Sequence, residues 1–363
     1  MNRMNTRIMK LRTYMKENDL EGFLIGSEAN RMYLSGFTGS NAMLLITMSE
    51  QYIITDFRYL EQVAKECPDF ICVDQNKIGL LRTAFDLAHQ AGCKKIAFEA
   101  EHMSYSRYQE LAKETKIEWV PTEGVVERLR QIKEEAELEK LAKAESIGDI
   151  AFKEIVKFIE QHWKEGLTEK EVALEIERVM RKNGASGNSF DTIVASGAKS
   201  SLPHATPSDD LLKKGDFVVM DFGCIYEGYC SDMTRTVVIG EANSKHREIY
   251  DTVLRAQQLA LEGIRAGLKG KEVDAIARNY ITEAGYGAYF GHGLGHSVGV
   301  EIHENPRFSM AEEQVIESGM VITVEPGIYL PGFGGVRIED MVIVTKDGIK
   351  NLTHSPKELI IIN

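Results

Sequence analysis

The run VVMDFGCIYEGYCSDMTRTVVI, residues 218–239, holds two β-prone apolar segments, each with one aspartate, Asp221 and Asp232. Few features restrict a fold more. A carboxylate in an apolar strand has to find solvent, a partner or a cation, because a bare buried charge is far too costly to fold around. A two-residue turn centred on Tyr226 and Glu227 places Asp221 directly opposite Asp232. Opposed residues bring their Cβ atoms to ~4.5–5.5 Å on one face of the sheet. Two carboxylates that close repel, so something positive is expected between them.

The same arrangement recurs in MVITVEPGIYLPGFGGVRIEDMVIVT, residues 320–345. Glu325 ends one strand, Glu339 begins the next, and the midpoint falls at Gly332 inside PGFGG. Hairpin pairing again sets two acids face to face. A third stretch, GHGLGHSVGVEIHENP at 291–306, holds His292, His296 and His303, three of only nine histidines. Its glycines argue against a helix and for a turn-rich loop that presents imidazoles. Each feature alone has an ordinary explanation. A strand Asp is usually at an edge, Glu339 could pair with Arg337, and a histidine loop could be surface. Four acids in two matched hairpins beside that loop point further. With one imidazole they make five O/N ligands, the number that two divalent metals ~3.5–4 Å apart require. Hard oxygen donors with a single nitrogen suit Mn²⁺, and Co²⁺, Zn²⁺ or Fe²⁺ would also bind.

Around these hairpins the chain reads as two domains, 1–126 and 127–363. In the first, Leu24–Ile25, Ala42–Thr47, Tyr52–Thr55 and Lys95–Phe98 look like strands and Leu80–Gln90 like a helix, an α/β alternation. Near Glu127 the texture changes. Leu138, Leu141, Ala144, Ile147, Ala151, Ile155 and Phe158 recur at helical spacing, so one long amphipathic helix is expected through 128–160. Thr168-x-x-Glu171 reads as a capping box that starts a second helix, with Gly184 as its stop. Helices are expected at His246–Arg265 and Lys271–Ala284. Strands are expected at Phe217–Phe222, Thr234–Ile239, Met320–Val324, Met341–Thr345 and Leu359–Ile362. Strand pairs alternating with helices imply an α+β domain of antiparallel hairpins packed under helices.

Charge and cysteine usage narrow the function. A net charge of -12 argues against nucleic acid, whose phosphates need a cationic face. Five cysteines without a CxxC pair suit a reduced, cytoplasmic protein. Neither an apolar signal core nor a membrane-length run is seen. HExxH, P-loop, dinucleotide and G-x-S-x-G signatures are absent. Cys230 reads as a small buried residue.

The segments MDFGCIYEGYCSDMTRT, GHGLGHSVGVEIHE, TVEPGIYL and GGVRIEDMVIVT resemble those of the pita-bread (M24) metallopeptidases. NRMYLSGFTGS followed by YIITDFRY resembles the creatinase-type N-terminal domain, which points to the proline-specific branch of aminopeptidase P and prolidase. The resemblance implies a pita-bread catalytic domain at 127–363 behind a smaller α/β domain at 1–126. It implies two metals held by Asp221, Asp232, His296, Glu325 and Glu339, with Asp232 and Glu339 bridging. It implies that Glu325, His204 and His303 act at the scissile bond, and that His292, Tyr329 and Arg337 line or support the substrate site. The activity implied is hydrolysis of Xaa-Pro bonds by a hydroxide bridging the metals, in a homodimer that needs neither nucleic acid nor membrane. The rival readings are a non-catalytic peptide-binding module, a metal-free creatinase-like hydrolase, and a methionine aminopeptidase. The intact acidic set argues against the first two and the extra domain against the third.

Overall fold

The computed structural model describes residues 3–363, which form two compact units, one ending at Arg130 and one running from Gln131 to Asn363. In the first, six strands form one sheet in the order 71–74, 51–55, 42–47, 22–25, 95–99, 118–122. The central three are antiparallel and the flanking pairs parallel. The run Ala42–Thr47 is buried at every position, because alternate residues serve opposite faces. Leu44 and Ile46 pack with Phe23 and Ile25 in one core, Met43 and Leu45 with Leu24 and Ile54 in another. A sheet covered on both sides needs such unbroken apolar strands.

The second unit repeats one order twice, a helix pair followed by antiparallel strands. The Glu135–His162 and Glu169–Lys182 helices pack on the strands Phe217–Phe222 and Met233–Ile239 through Ile147, Ile155, Val172 and Ile176 against Val218, Met220 and Val237. The Ser244–Gly263 and Gly270–Glu283 helices pack on Val321–Val324 and Asp340–Val344 through Ile249, Val253, Val273 and Ala277 against Ile322, Val324 and Val342. Local sequence sets several ends. The box at Thr168 forms as read: Glu171 N donates to Thr168 Oγ1 at 3.2 Å and Thr168 N to Glu171 Oε2 at 2.8 Å.

The long helix departs from its expected course. It is two helices, Val125–Gln131 and Glu135–His162, with a break between them. At the break Lys133 N donates to Gly319 O, and its ammonium forms a buried pair with Glu304 at 3.1 Å. Partners 171 residues away or more thus override a local helix preference. Among the described residues no helix is long and apolar enough to cross a membrane.

Candidate metal and peptide site

The two hairpins bring their acids to one cavity of about 590 Å³, ample for a dipeptide. Its lining includes Asp221, Asp232, Glu325 and Glu339, the histidines 204, 292, 296 and 303, and Arg337. Tyr329 does not line it; that side chain lies behind the wall.

In the first hairpin the register differs from the one expected. The turn is Glu227–Gly228, not Tyr226–Glu227, since Tyr226 pairs with Tyr229. Both turn residues take left-handed φ values, 46° and 83°, as a type I′ turn demands. The shift sets Thr234, not Asp232, opposite Asp221. Moving the turn by one residue moves the partner by two, so Asp232 stays on the same side. Carboxylate oxygens of Asp221, Asp232 and Glu339 lie within 4.8 Å of one another. In the second hairpin the register centred on Gly332 holds throughout. Val324 pairs with Asp340 and Gly327 with Arg337, which leaves Glu325 facing Glu339.

The histidine loop is also more ordered than expected. His296 lies in a short strand, Gly295–Ser297, paired with Glu304–Phe308 on one side and Val321–Val324 on the other. Gly295 allows this, since a Cβ there would sit 2.0 Å from Thr323 O. His296 Nδ1 lies 3.2 Å from Ser297 O and donates to it, which leaves Nε2 with a free lone pair. That nitrogen is 3.5 Å from both Asp232 Oδ2 and Glu325 Oε1. Burial and then neighbouring His303 push the His296 imidazole down to about 4, so it is neutral near pH 7.

Behind the acids runs a chain of hydrogen bonds. Arg337 donates to Asp221 Oδ2 at 2.6 Å, to Tyr329 Oη at 2.8 Å and to Thr234 Oγ1 at 3.0 Å. Thr234 Oγ1 in turn donates to Glu339 Oε2 at 2.7 Å. Tyr329 Oη is 2.8 Å from His292 Nε2, whose Nδ1 faces Gly293 O at 2.8 Å. The Nδ1–H therefore donates to the backbone, and Nε2 accepts from the tyrosine. Thr234 and Thr323, which accepts from His296 N and reaches Glu325 Oε1, carried no signal in the sequence. Threonine is common in strands, and only the register reveals its neighbours. Arg307, Phe190 and Asp191 on the cavity wall were equally silent.

The electrostatics call for a cation. Burial and the other acids push Asp232 and Glu339 well above the usual carboxylate range, and burial with Asp221 pushes Glu325 to about 8. Asp221 Oδ1 is buried and has no hydrogen-bond partner. An orphaned acceptor among crowded acids, beside an imidazole lone pair, is the donor set a divalent metal needs. Cys230 is buried, and desolvation pushes its thiol up, which suits a small packing residue.

Comparison with known proteins agrees with this geometry. Residues 139–346 match the model of metallopeptidase family M24, and residues 7–132 match the creatinase/prolidase N-terminal domain. The chain belongs to that family and carries that N-terminal domain. It is 44% identical to the uncharacterized peptidase YqhT of Bacillus subtilis, over 98% of this chain and 100% of that protein. It is 45% identical to the solved Xaa-Pro dipeptidase from Bacillus anthracis, with a TM-score of 0.95 and 99% of each chain covered. The X-Pro aminopeptidase from Thermotoga maritima is 39% identical, with a TM-score of 0.89 over 95% of this chain and 98% of that one.

Proposed function

We propose that this protein hydrolyses Xaa-Pro peptide bonds with two divalent cations held by Asp221, Asp232, His296, Glu325 and Glu339. The observation that carries the reading is the unsatisfied Asp221 Oδ1 in an acidic trio with the buried Asp232 and Glu339. Cations there would supply Lewis acidity and lower the pKa of a coordinated water toward neutrality. Glu325 would take up the proton of the attacking water as general base and return it to the leaving proline nitrogen. His204 and His303 line the cavity, where their imidazoles can donate to the carbonyl oxygen as charge develops. The amide before proline has no N–H, so recognition has to fall on the ring and the chain ends. Neutral His292, locked by Tyr329 and Arg337, offers an aromatic wall for the pyrrolidine.

Arg307 supports a dipeptide as the preferred substrate. It lines the cavity, where its guanidinium would read a free carboxylate. The same proposal takes Mn²⁺ as the resident metal, a homodimer as the assembly and the cytoplasm as the location. Hard oxygen donors support the first and unpaired cysteines the third, while the homodimer is carried over from the resemblance alone.

The test offers Ala-Pro and Ala-Pro-Ala to Mn²⁺-loaded protein. Cleavage of Ala-Pro that stops on chelation and returns with metal is expected, with the tripeptide at least about tenfold slower. Replacing Arg307 with Met should narrow that gap through KM. Chelator-resistant cleavage would end the proposal, and a preferred tripeptide would overturn its dipeptide part.

A further inference from the structure

We infer that Glu169 is the positioning residue for the cavity wall that carries His204. The role of His204 rests on the proposed peptidase reading; the fastening does not. The chain leaves the Ile193–Ser196 strand, makes a tight turn over Gly197–Ser201 and returns through Pro203–Pro207. All five of those returning residues line the cavity. This wall contains no strand, and His204 is exposed at it, so its placement needs an anchor elsewhere.

Glu169, the first residue of its helix, is fully buried and takes no part in the acidic cluster. Its Oε1 accepts from Ser196 N at 2.7 Å and Ser196 Oγ at 3.0 Å. Its Oε2 accepts from Ser208 N at 3.0 Å, Ser208 Oγ at 2.9 Å and Lys199 Nζ at 2.6 Å. The start, the first turn and the end of the segment thus converge on one carboxylate. Bonds to an ionised acceptor are about twice as strong as neutral ones, and a buried carboxylate without them would be costly. The backbone adds Glu169 N to Asp210 O and Lys170 N to Ser208 O.

On its other side the turn lies on the second hairpin. Gly335 N donates to Ser200 Oγ at 2.8 Å, and a Cβ on Gly335 would sit 2.3 Å from Ser200 O. Glu169 therefore fastens the start, turn and end of the segment that carries His204, and that turn rests through Ser200 on the strand that leads to Arg337.

The experiment compares Glu169→Gln, His204→Ala and the double variant in full-length, Mn²⁺-loaded protein. Glu169→Gln should lower kcat on Ala-Pro about tenfold or more, with KM and calorimetric Mn²⁺ affinity within about twofold. Its effect should vanish in the His204→Ala background, as for two residues acting through one contact. Amide exchange should quicken across 196–208 and stay unchanged in 217–222 and 321–344. Multiplying effects of the two substitutions, or unchanged exchange at 196–208, would overturn the inference. If wild type does not cleave Ala-Pro, the peptidase reading falls and the exchange result alone decides the role of Glu169. Lys199→Met, whose side chain reaches the surface, carries the same test with a smaller effect should Glu169→Gln not fold.

Discussion

The two acid-bearing hairpins answer one requirement in different ways. In residues 217–239 the turn falls on Glu227–Gly228, and the acids end up diagonal, with Thr234 in the directly opposed place. In residues 321–344 the register centres on Gly332 and the acids face each other. The diagonal arrangement leaves room for a hydroxyl that ties one hairpin to the other, through Thr234 to Glu339 and Arg337. The opposed arrangement leaves none and leans on that tie. The first hairpin therefore supplies the link, and each hairpin supplies two of the four acids.

If both hairpins hold the cations, each should be indispensable. Asp232→Asn and Glu339→Gln should each lower kcat/KM on Ala-Pro by about 10³-fold or more, roughly 4 kcal/mol of transition-state stabilisation. Metal binding measured by calorimetry should weaken in parallel. Full activity in either variant would break the symmetry.

The tie comes next. Thr234→Val removes the hydroxyl and keeps the shape, so metal affinity should fall about 10–100-fold, with Thr234→Ser restoring most of it. An unaffected valine variant would mean that the remaining links between the hairpins, Arg337 to Asp221 among them, suffice.

The metal-free protein should show the strain in its pH dependence. The Glu325 value of about 8 lies above its ordinary 4.5. Its contribution to stability is full below pH 4.5 and is lost as pH rises toward 8. His292 and His296, both near 4, work the other way, their contribution present above pH 6.5 and lost as pH falls to about 4. Bound cations should remove the alkaline loss, because the acids then stay ionised beside positive charge. Melting scans at pH 6 and pH 8, with and without Mn²⁺, should show the larger metal-induced rise at pH 8. An equal rise at both would contradict the crowding of the acids.

The turns give the smallest effects. Gly228→Ala and Gly332→Ala each force a Cβ into left-handed φ, 83° and 80°, and should cost about 1 kcal/mol in urea unfolding. Glu227→Asn should stabilise by a few tenths of a kcal/mol, since asparagine accepts that conformation more readily.

Much of this fold was legible because its signals are local. The helical spacing from Leu138 to Phe158, the Thr168–Glu171 box and the unbroken apolar strands each depend on neighbours within a few residues. The broken helix at Lys133 was not, because its cause lies at Gly319 and Glu304. The register of the first hairpin lies two positions from the one that residue spacing implies, because turn chemistry sets it. The Glu227–Gly228 pair was the available clue, since glycine is suited to the second place of a type I′ turn.

The sequence by itself determined which residue types meet. Acids spaced across two apolar hairpins and a histidine-rich stretch point to one crowded acidic cavity through charge and periodicity. Only the tertiary structure decided how they are held: Thr234 between the hairpins, Arg337 and Tyr329 behind Asp221 and His292, and Glu169 under the wall of His204. Those side chains are common ones in ordinary positions. Their roles come from partners tens or hundreds of residues away, and a hydrogen bond has no trace in a sequence until folding brings donor and acceptor within about 3 Å.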